Sequence, residues 1–437
     1  MFLQKISNQI ELVAWRDSDN DLLRLKESRF FWKWPIFDQL LKAMNKDCSS
    51  GGIYIIRGPR QVGKSCLVKK LACALFETNN FHSAYLLRGD LIDDYKELAE
   101  AFTGILENHK DRKNGTGLLF LIDEITFVSG WQRAVKALVD TGMISRSTLV
   151  ITGSNSYDLK KAAELLPGRR GRGFDSELLP MDFRDFRKYS GIPLFGRDLF
   201  HLYLQTGGFP HSINEYISLK STINSQSVYL SWIKGDILKA GKSDELLKEL
   251  FGALIQNGAQ PAGFDAIRHK TSFGSHNTVR EYIEFLESAF VVNQVPFIKP
   301  GIWTFNPKKN RKIFFRDPLI TRIAMKWPVH KEIADPGNGY LYESVVAEHL
   351  KRLGGVRFGY VRNKSEQEID FYSEDFAIEV KSGKRLASDD LLGLKKIDHP
   401  SRYLLYGGDE SLQQSGINIM PVWDFLENEK NNSTPRS

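Results

Sequence analysis

The chain has 437 residues, which is too long for one hydrophobic core, and we expect two to four domains. Its 42% hydrophobic and 26% charged residues are ordinary for a soluble globular protein. No apolar run approaches the roughly 20 residues that cross a bilayer, and the N-terminal residues are too polar for a signal peptide. The net charge of +7 favours an anionic partner. Cys48, Cys66 and Cys73 do not have the spacing of zinc ligands. Three such cysteines fit a reducing compartment, so we expect a cytoplasmic protein.

Residues 1–50 have a mixed pattern, with an aromatic cluster at 30–34 and a helical stretch at 37–44. From Gly51 onward, short apolar runs alternate with amphipathic segments. The apolar runs predict buried strands at 53–56, 84–87, 118–122 and 148–152. The amphipathic segments predict helices at 65–76, 95–108 and 131–141. This alternation predicts an α/β fold, with a parallel sheet covered by helices on both faces.

Residues 58–65 read GPRQVGKS and match the phosphate-loop pattern at every fixed position, between a predicted strand and a predicted helix. Glycines let the loop curl so that successive N–H groups face one anion, and the helix N-terminus attracts phosphate. We expect Lys64 to reach the β- and γ-phosphates of ATP and Ser65 to bind Mg2+. The residues expected to contact the nucleotide are Gly58, Pro59, Arg60, Gln61, Val62, Gly63, Lys64, Ser65 and Cys66.

The second part of the predicted site follows the apolar run 118–122, which ends in Asp123 and Glu124. Ligands of open α/β sheets bind at the carboxyl ends of the strands. Asp123 is therefore predicted to hold Mg2+ through water, and Glu124 to polarise the attacking water. At the end of the next strand, Asn155 or Ser154 is predicted to contact the γ-phosphate, although an ordinary Ser/Asn turn would read the same.

An arginine-rich loop follows at residues 166–172, which read LPGRRGR. Arg169 or Arg172 is predicted to neutralise charge on the γ-phosphate of a neighbouring subunit, and this role requires a homo-oligomer. A solvated basic loop is an equally weighted alternative.

The middle of the chain predicts a mostly helical segment at 181–240. Further helices are predicted at 244–257, 264–271 and 277–289, and strands at 291–297 and 312–315. Three helices and two strands are what a winged helix needs, with Ser275 as N-cap of the third helix and Asn277 near DNA. Residues 241–330 hold 13 Lys and Arg against 8 Asp and Glu. The predicted wing would contact phosphates through Lys308, Lys309, Arg311 and Lys312. The alternative is a module that only packs against the rest of the chain.

The C-terminal part predicts a helix at 341–353 and strands near 356–362, 368–372 and 376–380. Glu343, Asp370 and Glu379 would ligate a second Mg2+, and Lys381 would orient or activate water. In order and type these four residues resemble the metal-dependent PD-(D/E)xK nucleases. The tripeptide E-x-K also ends ordinary surface strands. The alternative of a domain that has the same fold but does not cleave DNA therefore stays open.

The motifs GPRQVGKS, LLFLIDE, PMDFRDF, GGFP and KIFFRDPLI, with the GR-containing loop, together resemble a prokaryotic family of AAA+ ATPases with a C-terminal restriction-endonuclease-like domain. The resemblance covers nearly the whole chain and implies a setting in DNA processing. The domains it implies are an N-terminal extension (1–50), an AAA+ core (51–180), a helical lid (181–240), a winged-helix module (241–330), a restriction-endonuclease-like domain (331–430) and a flexible tail (431–437).

The sequence therefore predicts an ATP-hydrolysing AAA+ protein that uses ATP and Mg2+ and acts on duplex or branched DNA. We expect it to self-associate, with a hexamer as one arrangement. Two alternatives stay open. One is an ATP-gated, metal-dependent nuclease, and the other is a nucleotide switch that signals through a protein partner.

Overall fold

The computed structural model describes residues 3–28, 32–47, 51–78, 80–109, 117–153, 159, 168–299, 309–327, 337–362 and 367–428. The chain divides into two compact units, Met1–Leu179 and Pro180–Ser437. In these described parts, no helix is both long enough and apolar enough to cross a membrane.

The first unit is built on a six-stranded sheet with the order β1-β3-β4-β5-β2-β6. Its strands are β1 (Leu3–Ile6), β2 (Gly52–Arg57), β3 (Phe81–Arg88), β4 (Gly117–Asp123), β5 (Ser147–Gly153) and β6 (Asp175–Glu177). Only β1 runs antiparallel to its neighbour, and the other pairs are parallel. The predicted parallel sheet is confirmed. The sequence missed β1 and β6, because strands of three or four residues carry little periodic signal.

The helices of this unit are α1 (Gln9–Ser18), α2 (Asn20–Glu27), α3 (Phe37–Asp47), α4 (Lys64–Glu77), α5 (Tyr95–Glu107) and α6 (Trp131–Asp140). Apolar side chains of α5 and α6 join those of the central strands in one core. Phe102 and Val135 belong to it, and Phe102 packs on Phe120 of β4 with ring centroids 4.7 Å apart.

The strand order decides where the site forms. Strand β5 lies between β2 and β4, and all three run parallel. Their carboxyl ends therefore meet at one edge of the sheet, where open α/β sheets bind ligands. The loop after β2, the acidic pair after β4 and Thr152 near the end of β5 are brought together at that edge.

The second unit begins with helices and one hairpin. The helices are α7 (Phe183–Tyr189), α8 (Gly196–Thr206), α9 (Pro210–Leu219), α10 (Ile223–Lys239), α11 (Asp244–Asn257), α12 (Phe264–Arg268), α13 (His276–Ser288) and α14 (Pro318–Lys326). The antiparallel hairpin consists of β7 (Val292–Pro296) and β8 (Arg311–Phe315). Ser275 caps α13 as expected, accepting the Thr278 N–H at 3.1 Å. The predicted order of three helices and two strands is present, while the winged-helix identity stays a prediction.

The second unit ends in a mixed six-stranded sheet of order β13-β14-β12-β11-β10-β9. Its strands are β9 (Gly359–Arg362), β10 (Glu368–Tyr372), β11 (Ala377–Lys381), β12 (Arg402–Tyr406), β13 (Leu412–Gln414) and β14 (Ile417–Pro421). The accompanying helices are α15 (Gly337–Arg352), α16 (Leu392–Lys395) and α17 (Val422–Glu427). Strands β9, β10 and β11 pair antiparallel, whereas β11, β12 and β14 are parallel.

Candidate nucleotide site and acidic cluster

The phosphate loop connects β2 to α4 in a tightly curled conformation. Gly63, the residue before α4, has φ of 100°, and Gln61 has φ of 60° although it is not glycine. At Gly58 an added Cβ would lie 2.1 Å from the Leu178 carbonyl oxygen, so the position has no room for a side chain. Strained backbone of this kind persists where the surroundings hold it and is common at ligand sites.

Lys64 lies inside this curl, and it is 5% exposed. Its ammonium donates to the carbonyl oxygens of Gly58 at 3.0 Å and Pro59 at 2.9 Å. The same Nζ lies 4.0 Å from Glu124 Oε1. A buried ammonium needs such acceptors, and phosphate oxygens would be stronger ones.

The acidic pair is organised by Thr152 of β5. The Thr152 hydroxyl donates to Asp123 Oδ1 at 2.5 Å and accepts the Glu124 N–H at 3.0 Å. Glu124 itself has a left-handed backbone, with φ of 54°. The close approach of Gly89, where a Cβ would lie 2.5 Å from the Glu124 carbonyl oxygen, fixes this turn. One hydroxyl therefore sets the positions of both acidic residues.

These groups open onto a cavity of about 660 Å³. Ser65, Asp123 and Glu124 line it, together with Arg60. The Ser65 hydroxyl and Asp123 carboxylate are oxygen donors of the kind that Mg2+ prefers, so the residues present fit this ion. The cavity is large enough for a nucleotide-sized ligand.

The N-terminal helices also line the cavity, which the sequence did not predict. Lys69 of α4 lies 2.7 Å from a carboxylate oxygen of Asp19 and 2.7 Å from one of Asp21. Burial lowers the pKa of Lys69, but the hydrogen bonds that its ammonium donates to both carboxylates outweigh burial, and the pKa is raised. The lining residues from this segment are Gln4, Asp19, Asn20, Asp21 and Arg24.

The other predicted nucleotide contacts differ in burial. Val62 is fully buried, and Pro59 is buried in the turn. The Arg60 guanidinium lies 5.8 Å from the centre of the Phe127 ring. Burial raises the pKa of the Cys66 thiol to about 12, which favours its protonated form. Asn155 and Ser154 fall outside the described residues.

Thr152 is the site residue that sequence reasoning undervalues. The apolar run marks it only as the end of a strand, with Asn155 or Ser154 as the expected polar contact. The available signal is a polar side chain closing an otherwise apolar run, beside Asp123 in the predicted sheet.

The arginine loop is partly engaged within its own unit. Arg169 donates to both carboxylate oxygens of Asp140, at 2.6 and 3.3 Å. Arg170 lies 2.9 Å from Asp175, while Arg172 is exposed. A role of Arg169 or Arg172 in a neighbouring subunit stays a prediction.

The predicted basic wing needs a correction. Asn277 and Lys309 are exposed, and Lys308 lies outside the described residues. Arg311 and Lys312, however, are buried, so their expected place on an exposed wing was wrong. The reason is that β8 is buried on both of its faces.

Arg311 faces the helices of its module. Its guanidinium lies 4.2 Å from the centre of the Phe264 ring and donates to Gln294 Oε1 at 3.0 Å. Phe315, on the same face of β8, packs on Phe251 of α11. This face is thus covered by α11 and α12.

Lys312 faces the C-terminal sheet, and its side chain is 1% exposed. Its ammonium lies 3.1 Å from Glu343 Oε2, 2.9 Å from Glu368 Oε1 and 2.7 Å from Asp370 Oδ1. Burial lowers the pKa of Lys312, but the three carboxylates outweigh it, and the pKa lies well above its usual value. We call Lys312, Glu343, Glu368 and Asp370 the acidic cluster.

Glu379 and Lys381 lie next to this cluster. Lys381 Nζ donates to Glu379 Oε1 at 2.8 Å, and Asp370 Oδ2 accepts the Val380 N–H at 2.9 Å. Burial, followed by the charge of Asp370, raises the pKa of Glu379 to about 8. Among the described residues, no group of three or more His, Cys, Asp and Glu side chains is arranged to hold a metal ion. The second metal site at Glu343, Asp370 and Glu379 stays a prediction, and in this arrangement the Lys312 ammonium already contacts two of its carboxylates.

Comparison with family models gives the class of the first unit. Residues 50–187 match the model of an AAA domain, so this segment is an AAA domain and supports a nucleotide-dependent activity. Residues 197–328 and 338–425 match two models described as domains of unknown function, DUF8612 and DUF4143.

Two relatives are similar to the chain. An uncharacterized protein of Haemophilus influenzae is 29% identical over 399 residues, which is 86% of this chain and 94% of that protein. An uncharacterized protein of Methanocaldococcus jannaschii is 28% identical over 187 residues, 39% of each chain.

Solved structures resemble the chain more distantly. The Thermotoga maritima RuvB Holliday junction branch migration motor has a TM-score of 0.34 and 17% identity, covering 60% of this chain and 87% of that one. The Aeropyrum pernix ORC2 protein has a TM-score of 0.32 and 11% identity, with 67% and 93% covered. Aquifex aeolicus DnaA has a TM-score of 0.30 and 16% identity, with 57% and 86% covered. At these TM-scores the likeness carries no argument about function.

Proposed function

We propose that the chain is an ATP-hydrolysing AAA+ protein that acts on DNA as a homo-oligomer. The observation that best supports ATP hydrolysis is the convergence at one sheet edge of the curled phosphate loop, Asp123, Glu124 and Thr152. The cavity at this edge, with Arg60, Ser65, Asp123 and Glu124 in its wall, suits a phosphate ester and a hard cation.

In this proposal each residue has one role. Lys64 exchanges its loop carbonyl acceptors for the β- and γ-phosphate oxygens, and Ser65 and Asp123 hold Mg2+. The Mg2+ supplies positive charge against the phosphates when it is bound. Glu124 accepts a proton from the attacking water, and Thr152 keeps Asp123 and Glu124 in place.

DNA binding is supported by charge and by exposed side chains of the middle module. The chain carries a net charge of +7. Several polar and basic residues around the turn from α12 to α13 are exposed: His269, Lys270, His276, Asn277 and Arg280. A polar helix start with basic neighbours suits contact with DNA phosphates.

ATP turnover measured with duplex, forked and four-way DNA, against no DNA, tests this function. We expect at least one DNA form to raise the rate. Equal rates in all four conditions would remove DNA from the proposal while leaving ATP hydrolysis in place.

A second candidate is a nucleotide switch that binds a protein partner. Exposed apolar side chains within residues 180–240 favour it, since Phe195 is 72%, Leu219 63% and Ile223 67% exposed. Under this alternative DNA leaves turnover unchanged. The nuclease alternative has less support, because the Lys312 ammonium lies between the carboxylates that would hold its metal.

A further inference from the structure

The acidic cluster already contains a cation of its own. Lys312 Nζ is within 3.1 Å of a carboxylate oxygen from each of Glu343, Glu368 and Asp370. Two of these residues are ones that a metal-dependent nuclease would use as ligands. An ammonium at this point contacts the same oxygen atoms that a divalent ion would need, and it repels that ion.

The side-chain alternation of β8 explains why the ammonium is there. Lys312 and Phe314 lie two residues apart and share one face of the strand. Phe314 packs on Phe371 of β10 and on Tyr340 of α15, with ring centroids 6.3 and 5.6 Å away. This apolar packing delivers Lys312 to the cluster, so its position does not depend on the ion pairs alone.

The charges in and around the cluster nearly balance without a metal. The described carboxylates are Glu343, Glu368, Asp370 and Glu379, and the described cations in contact with them are Lys312, Lys381 and Arg362. Lys381, the expected water-orienting residue, is paired with Glu379 at 2.8 Å. With all four carboxylates ionised, three cations against four anions leave one net negative charge, so most of the repulsion is offset without an added divalent ion.

We propose that the Lys312 ammonium takes the place of a divalent metal in the C-terminal domain, and that the cluster joins β8 to α15 and β10 instead of cleaving DNA. The C-terminal domain is then a metal-free scaffold locked to the middle module. This inference is independent of whether the first unit hydrolyses ATP.

A second buried ion cluster joins the same two parts. Glu348 of α15 accepts from Arg316, at 2.8 and 3.0 Å, and from Arg352 at 2.8 Å. Glu348 also accepts from Asn293 of β7 at 2.5 Å. Lys312 thus pairs with Glu343, and Arg316 pairs with Glu348. The two cations are four residues apart along the chain, and the two carboxylates are five residues apart on one helix. Two charged contacts fix the hairpin to α15.

Counting bound Mn2+ on the full-length chain tests the absence of a metal. Mn2+ binding is titrated by electron paramagnetic resonance, first without nucleotide and then with a non-hydrolysable ATP analogue. We expect no tightly bound Mn2+ without nucleotide and at most one with it, because within the described residues the phosphate loop and Asp123 are the place where bound nucleotide would complete a site. Tight binding of one Mn2+ without nucleotide, abolished in Asp370→Asn, would overturn the proposal.

The role of the ammonium is tested by Lys312→Met, with Lys309→Met as the matched control in the same segment. Lys312→Met leaves one buried and two partly buried carboxylates without their central cation, so its Tm should fall by roughly 10 °C, while Lys309→Met leaves Tm unchanged. Added Mn2+ should recover part of that decrease in Lys312→Met and should not raise the Tm of wild type.

A Lys312→Met protein as stable as wild type, or a wild type that Mn2+ stabilises without nucleotide, would contradict the proposal. If Lys312→Met does not fold, the Mn2+ count on the wild type still decides.

Discussion

At the scale of single residues, Thr152 is the group on which the geometry of the nucleotide site depends most. Its hydroxyl donates to Asp123 and accepts from the Glu124 N–H, so it joins the two acidic residues across neighbouring strands. A residue that orients a metal ligand changes metal affinity without touching the metal. Thr152 is therefore a positioning residue.

We predict that Thr152→Val lowers ATP turnover about 10- to 100-fold and raises the Mg2+ concentration needed for half-maximal rate. Valine keeps the volume and removes the hydroxyl. Thr148→Val is the matched control, since Thr148 lies on the same strand, is fully buried and has no hydrogen bond through its hydroxyl within the described structure. The Mg2+ dependence of turnover is the measurement. Equal decreases in both variants would mean that the strand, not the hydroxyl, is responsible.

The residue scale also separates what the sequence could predict from what it could not. Gly63 and Lys64 were predicted because the phosphate-loop motif is a run of consecutive residues. Asp123 was predicted because it directly follows an apolar run. Lys312 was misplaced because its partners Glu343 and Asp370 are 31 and 58 positions away. An exposed lysine beside a turn and a buried lysine that is paired with carboxylates from distant elements have the same local sequence pattern.

At the scale of elements, helix α15 carries two carboxylates, Glu343 and Glu348, which pair with Lys312 of β8 and with Arg316 just after it. Glu348 is 4% exposed, with Arg316 and Arg352 bound to it. Burial alone would raise its pKa, but the two guanidinium groups outweigh burial and lower the pKa to about 2. The ionised form is thus strongly favoured in the folded protein.

We predict that Glu348→Gln lowers the free energy of unfolding by about 3–5 kcal/mol at neutral pH, because two buried guanidinium groups lose their counter-charge. The exposed Glu281→Gln on α13 is the control and should change it by less than about 0.5 kcal/mol. Denaturant unfolding followed by circular dichroism gives both values. A Glu348→Gln protein as stable as the control would show that the cluster is not stabilising.

The pH dependence of this difference has a definite sign. The folded pKa of Glu348, about 2, lies below an unfolded value of about 4.3. Its contribution is therefore complete above about pH 5 and is lost as the pH falls towards 2. The gap between wild type and Glu348→Gln should shrink in that window. A gap that grew on acidification would contradict the assignment.

The elements themselves differ in how well sequence reasoning located them. The central strands of the first sheet were predicted because each is a continuous apolar run. Strand β8 was also located, but its burial on both faces was not foreseen, since Arg311 and Lys312 read as solvent-exposed. Helices α1 and α2 were missed because each buries few residues, such as Leu12 and Leu22.

At the scale of the whole molecule, an arginine of the loop at residues 166–172 can act on the γ-phosphate of a neighbouring subunit only if the protein self-associates. We predict that Arg172→Ala keeps ATP bound and loses most of its turnover, whereas Arg169→Ala, which loses only a pair with Asp140, keeps turnover. Mixing Arg172→Ala with Lys64→Ala should restore turnover, because each protein supplies what the other lacks. Full activity of Arg172→Ala alone would remove it from this role.

DNA binding also belongs to this scale. Neutralising three exposed basic residues, Lys270, Arg280 and Lys309, should weaken DNA binding for all sequences alike. The slope of log affinity against log salt should shrink by about 0.9 for each DNA phosphate that the variant no longer neutralises. Lys326→Gln, an exposed lysine outside the turn from α12 to α13, is the control. An unchanged slope would mean that these three residues do not bind the DNA backbone.

ATP hydrolysis at the site formed by the phosphate loop, Asp123 and Glu124 is the central claim, and Glu124→Gln tests it most directly. Bound nucleotide and turnover are measured on the same samples of wild type, Glu124→Gln and Lys64→Ala. We predict that Glu124→Gln retains ATP while its turnover falls by about 10²-fold or more, and that Lys64→Ala retains no ATP. Turnover by Glu124→Gln equal to that of the wild type would contradict the assignment of this site.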